Sequence, residues 1–157
     1  MSRTLTVAPV RKSVRVNAPP ARAFEVFTAG FGRWWPRSHS VSASPLTDAI
    51  IEPRVGGRWF QKCEDGSESE WGRVLTWEPP ARVVLAWQLD PDFKFDPNVI
   101  TEVELRFIAE AGGTRVELEH RYLERFGERG QEMADKVGAP NGWAALLQLY
   151  AASVESG

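Results

Sequence analysis

Residues 99–122 constrain the fold more than any other stretch of the chain. "VITEVELRFI" and "TRVELEHRY" alternate apolar and polar side chains on either side of the turn Ala111–Gly112–Gly113. A period of two marks a half-buried strand, and a glycine turn between two such runs predicts an antiparallel pair. If Phe107 pairs with Val116, Leu105 meets Leu118, Val103 meets His120 and Thr101 meets Tyr122 on one face. Glu102, Glu104, Arg106, Arg115, Glu117, Glu119 and Arg121 then share the other face, the pattern of a sheet wet on one side. Its inner face needs an apolar cover, which the remaining chain has to supply.

The C-terminal stretch "NGWAALLQLYAASVE" provides one. Trp143, Leu146, Leu147, Tyr150 and Val154 fall at helical spacing, with Asn141 as the expected N-cap. Near the N-terminus, "VRKSVRV" alternates as a strand, and a helix is expected from about Pro20, with Ala23, Phe24, Val26 and Phe27 as its apolar stripe. Gly30 breaks that helix. Phe31, Trp34 and Trp35 stand at i, i+3 and i+4 of a second, very short one, and Pro36 ends it. Between these ends runs a strand meander with a turn at Glu64–Asp65–Gly66–Ser67 and a corner at Glu78–Pro79–Pro80. Trp87 shares a face with Leu85 and Leu89, whereas Trp59 and Trp71 depend on a register that one residue of slip would reverse. "DPDFKFDPN" reads as a long loop, whose Phe93 and Phe95 form a lid or a dimer contact. "ERFGERGQEMADKV" is polar and glycine-broken and reads as a loop or frayed helix.

Composition narrows the function. Nineteen basic and twenty-one acidic residues, mixed along the chain, leave no basic stripe for nucleic acid. The N-terminal "MSRTLTVAPVRKS" lacks a signal-length apolar core and no stretch is apolar enough to span a bilayer, so a cytoplasmic protein without membrane contact is expected. The single Cys63 excludes an internal disulfide. Seven tryptophans and eight phenylalanines in 157 residues point to a bulky core or a concave aromatic-lined site.

Few residues offer chemistry. His120 is expected to face inward, as a polar anchor or acid–base group in an apolar pocket or as a neutral core histidine. His39 is read as a surface histidine or as lining an entrance. His39, His120 and Cys63 lack any metal-ligand spacing, and Asp90, Asp92 and Asp96 do not match a calcium loop, so neither metal nor cofactor is expected. Gly56 and Gly57 precede no helix and are no phosphate loop.

"VNAPPARAFEVFT", "RVGGRWF", "WGRVLTWEPPARVVLAWQ", "GGTRVELEHR" and "GWAALLQLYAA" carry a resemblance to the START-like (SRPBCC) superfamily, and within it to the single-domain bacterial homologues of the activator of heat-shock-protein ATPase. The resemblance spans about Val10 to Val154 and implies one domain over residues 1–157 with an α+β helix-grip fold. In that fold a curved antiparallel sheet of about six or seven strands wraps a long C-terminal helix, and two short helices follow the first strand. A cavity between sheet and helix is implied, with Trp34, Trp35, Trp87, Val103, Leu105, Leu118, Trp143 and Leu147 lining it and His120 and Tyr122 as polar anchors. Binding of a small hydrophobic or aromatic molecule is the first functional expectation, by a monomer or weak homodimer. A chaperone-associated interaction module and a cyclase- or hydrolase-type enzyme are the alternatives, since a fold alone licenses no reaction.

Overall fold

A computed structural model describes residues 7–156. Its elements are β1 (Val10–Val16), α1 (Pro20–Thr28), α2 (Phe31–Trp34), β2 (Leu46–Ile51), β3 (Arg58–Cys63), β4 (Glu68–Glu78), β5 (Arg82–Trp87), β6 (Thr101–Glu110), β7 (Gly113–Arg121), a 3₁₀ segment (Leu123–Arg129), α3 (Gly130–Gly138) and α4 (Trp143–Ser156).

β6 and β7 pair in the register their alternation demands, with Val103 opposite His120, Leu105 opposite Leu118 and Phe107 opposite Val116. All seven strands join one antiparallel sheet in the order β1-β7-β6-β5-β4-β3-β2, an α+β helix-grip arrangement in which the sheet curls around α4. The inner face of the sheet and the apolar sides of α1, α2, α3 and α4 bury a continuous aromatic-rich core. Tyr150 of α4 fastens the layers by donating its hydroxyl to Ala23 O of α1 at 2.7 Å. Complete burial pushes that phenol well above its ordinary range, so it stays a donor.

Three local expectations need correcting. The chain leaves β7 at Arg121, and Tyr122 takes a left-handed turn (φ 67°) into the 3₁₀ segment, so it never pairs with Thr101. Residues 124–137 are ordered as that segment and α3, whose Met133, Ala134 and Val137 are buried. Gly142, not Asn141, precedes the first turn of α4: its carbonyl accepts from Leu146 N–H at 3.1 Å.

The two ambiguous tryptophans are resolved by a β-bulge. Trp59 faces Gly72 and Phe60 faces Glu70, which leaves Trp71 as the extra residue on β4. Both indoles thereby point inward, 5.5 Å apart. Gly72 is required beside the bulge, because a Cβ there would lie 1.7 Å from Ala86 O of β5.

Candidate functional site

A cavity of about 920 Å³ opens between the β4–β5 part of the sheet, the loops after α2 and β5, and the α3–α4 corner. Four indoles wall it: Trp35, Trp71, Trp87 and Trp143. Trp35 lies 5.1 Å from Trp71 and 6.2 Å from Trp143, and Trp87 lies 5.7 Å from Trp143. Val41, Leu89, Phe93, Val137 and Leu146 complete the apolar wall. The rim is polar, with Ser38, His39, Glu132, Asp135, Lys136 and Asn141 exposed at the mouth.

Trp34 and Trp35 part company, although helical spacing predicts a shared face. Pro36 disfavours helix at the preceding residue, and Trp35 is extended (φ −70°, ψ 127°). Trp34 therefore enters the core, packing on Phe27 and Tyr150 and donating Nε1–H to Val26 O at 3.1 Å. Trp35 alone of the pair reaches the cavity.

Trp87 and Trp143 also line it. Val103, Leu105, Leu118 and Leu147 are buried core residues outside its wall. Tyr122 is 39% exposed and packs under Arg125, whose guanidinium carbon is 4.3 Å from the ring centroid. It is not a cavity residue.

His120 lies behind the wall, fully buried. Its Nδ1 is 3.2 Å from Trp143 Nε1, which can only donate, so Nδ1 is the acceptor. The proton then sits on Nε2 and is donated to Thr101 Oγ1 at 3.0 Å, whose own hydroxyl donates to Trp87 O at 3.0 Å. Burial lowers the imidazole to about 3, so it is neutral. The chain of bonds fixes the Trp143 indole and the end of β5 together. Both ring nitrogens are thus hydrogen-bonded within the protein.

His39 stands exposed at the rim, its ring 5.9 Å from Trp35 and its Nδ1 3.4 Å from Ser38 Oγ. Partial burial lowers it from the ordinary histidine range.

Sequence reasoning missed Gln61. Its Oε1 accepts from Val41 N at 3.0 Å and Trp71 Nε1 at 3.2 Å, and its Nε2 donates to Ser40 Oγ at 2.8 Å, tying the rim loop to the wall. A signal existed: Gln61 shares the inward parity of Trp59 and Cys63 on β3, a polar residue where an apolar one is due. The α3 contribution was also missed. Arg129, at the start of α3, holds Asp92 of the Phe93 loop through both carboxylate oxygens, at 2.8 and 2.9 Å, and Lys136 donates to Pro91 O. These bonds strap the loop across the cavity mouth. Among the described residues no cluster of His, Cys, Asp or Glu could hold a metal ion, and no helix is long and apolar enough to cross a membrane.

The outer face of the sheet carries a separate ion-pair lattice. Glu104, its side chain 4% exposed, contacts Arg82, Arg106 and Arg121. Burial pushes this carboxyl up, but the three guanidinium hydrogen bonds outweigh it and hold the group at about 2.

The fold has parallels among solved structures. The anthrahydroquino-Gama-pyrone synthase Txn09, complexed with SUM, is 36% identical over 94% of this chain and 97% of its own, with a TM-score of 0.65. CalC, a self-sacrificing resistance protein from Micromonospora echinospora, is 29% identical over 94% of each chain, with a TM-score of 0.71. Protein NE0264 from Nitrosomonas europaea shares the fold at 13% identity, covering 94% of each chain with a TM-score of 0.67. No curated protein sequence matches. Residues 17–154 match the family described as Activator of Hsp90 ATPase homolog 1-like protein. That match spans most of the chain, over the same seven-stranded sheet: the chain belongs to the Activator of Hsp90 ATPase homolog 1-like protein family.

Proposed function

We propose that the protein binds a small, planar, polycyclic aromatic molecule in the tryptophan-walled cavity, and does so in the cytoplasm. The carrying observation is the wall itself: four indoles and Phe93 around about 920 Å³, with the ionic groups confined to the rim. Flat π-faces on several sides suit a flat ligand, because offset and edge contacts add to area burial. Burying about 300 Å² of apolar ligand surface contributes roughly 7 kcal/mol gross. Immobilisation offsets part of that, leaving affinity in the micromolar range. Txn09, named as a synthase of an anthrahydroquinone–pyrone, supports the aromatic class.

That same relative favours a second reading, in which the bound molecule is also converted. Catalysis would have to draw on the rim, where the His39 ring stands 5.9 Å from Trp35, because both nitrogens of His120 are bonded within the protein.

Native mass spectrometry of the freshly purified protein against its denatured mass tests the proposal, together with quenching of tryptophan fluorescence by anthraquinone-2-sulfonate. A non-covalent mass increment and saturable micromolar quenching are expected. A clean ligand-free mass with no quenching overturns binding. Recovery of the added compound with an altered mass favours conversion.

A further inference from the structure

The four wall indoles offer their faces to a ligand, but three have no N–H to give. Trp71 Nε1 donates to Gln61 Oε1 at 3.2 Å, Trp87 Nε1 to Leu89 O at 2.9 Å, and Trp143 Nε1 to His120 Nδ1 at 3.2 Å. Trp35 differs. Its side chain lines the cavity, the residue is only 6% exposed, and its Nε1 is buried without an acceptor. Trp59 Nε1 also lacks an acceptor, but Trp59 is fully buried and stands outside the cavity wall. A buried N–H with no acceptor forfeits the bond it makes to water in the unfolded chain, so native proteins rarely leave one without reason.

The cationic side chain at the cavity is already committed. Lys136 donates to Pro91 O and pairs with Glu132 at 3.0 Å. Ser38, His39 and Asn141 are exposed at the rim. The Trp35 N–H is thus the donor that the wall keeps in reserve, and it is a neutral one. Neutral donors suit a carbonyl or quinone oxygen, whereas a carboxylate calls for a charged partner.

We infer that the ligand is a polycyclic ketone or quinone whose oxygen accepts the Trp35 Nε1–H, making Trp35 the residue that selects oxygenated polycycles over hydrocarbons. This rests on the cavity-binding reading above. Because Nε1 is covered without ligand, binding has to turn the indole or shift the loop at 36–44 that follows it.

Anthraquinone-2-sulfonate and anthracene-2-sulfonate share a skeleton and a charge and differ in the quinone oxygens. Their dissociation constants are to be measured on wild type, Trp35→Phe and Trp87→Phe. Trp35→Phe should weaken the quinone roughly fivefold to tenfold, the scale of one hydrogen bond lost beside an unmet acceptor, and shift the hydrocarbon by less than about twofold. Trp87→Phe, which removes an indole already bonded within the protein, should affect both probes alike. An equal effect of Trp35→Phe on both probes, or none on either, overturns the inference and leaves cavity binding standing. Failure of wild type to bind either probe overturns both. Should Trp35→Phe not fold, the indole N–H resonances of ¹⁵N-labelled wild type decide. A downfield shift of the Trp35 proton with the quinone beyond that with the hydrocarbon supports the bond, and equal shifts refute it.

Discussion

Protonating His120 would place a second proton on Nδ1, the atom that accepts from the Trp143 indole. Burial already penalises the charged ring and lowers the folded imidazole to about 3, and the added proton would also set two donors face to face. The unfolded chain takes up that proton near the ordinary histidine value of about 6.5. Between those two values the unfolded state binds more protons, so stability falls as pH drops through the window, at up to about 1.4 kcal/mol per pH unit. Glu104, held at about 2, adds a loss of the same sign, but only below its unfolded value of 4.5. The interval from about pH 6.5 to 4.5 therefore reports on histidine. Urea unfolding of wild type and His120→Gln at a series of pH values checks this. The variant should lose about 2–3 kcal/mol at pH 7, because it breaks a buried network, yet show a flatter decline towards pH 5. Parallel declines would mean that His120 is not the neutral, doubly bonded group described. Its inward direction was legible from β7 parity, but its place behind the wall was not, since that depends on Trp87 and Trp143 arriving from two other elements.

Elements with a clean period were readable, and those that break it were not. β6 and β7 pair as their alternation implies, and α1 begins at Pro20 as its apolar stripe implies. α3 escaped because Gly127, Gly130 and Gly138 punctuate a polar stretch and only Met133, Ala134 and Val137 show a buried stripe. Its stability comes from packing, which no local pattern announces. The Trp71 bulge escaped for a related reason: one extra residue changes which indoles face inward, and only the partner strands determine where it sits. These two features supply much of the cavity wall and its strap. The strap itself makes a testable claim. Arg129 joins α3 to Asp92 on the loop that carries Phe93, a non-glycine residue at φ 60°. Arg129→Ala should release the loop, speeding probe dissociation a few-fold in stopped-flow fluorescence. The thermal midpoint should stay nearly constant, because the pair is solvent-exposed and contributes little to folding. An unchanged dissociation rate would show that the mouth does not depend on the strap.

At the scale of the whole molecule, the sheet divides two surfaces with different chemistry. One is the concave aromatic cavity, and the other is the convex ion-pair lattice around Glu104. The family description names an ATPase activator, which is a reason to ask which surface acts. The two can be separated because exposed charges on the far side of a sheet are screened over about 8–10 Å at physiological salt. Arg106 is exposed and Glu117 half-buried on the convex side, so an Arg106→Ala, Glu117→Ala double variant should leave probe affinity within about twofold of wild type. Val41→Trp puts bulk at the half-buried rim of the cavity and should abolish probe binding, with the thermal midpoint of the free protein moving by no more than about 2–4 °C. The same two variants, assayed for stimulation of a bacterial heat-shock ATPase, discriminate the functions. If the wild type stimulates that ATPase, and the convex-face variant loses the effect while Val41→Trp retains it, the sheet's outer face is the working surface and the cavity is incidental. Loss of probe binding in Val41→Trp, with no stimulation by any of the three proteins, assigns the function to the cavity.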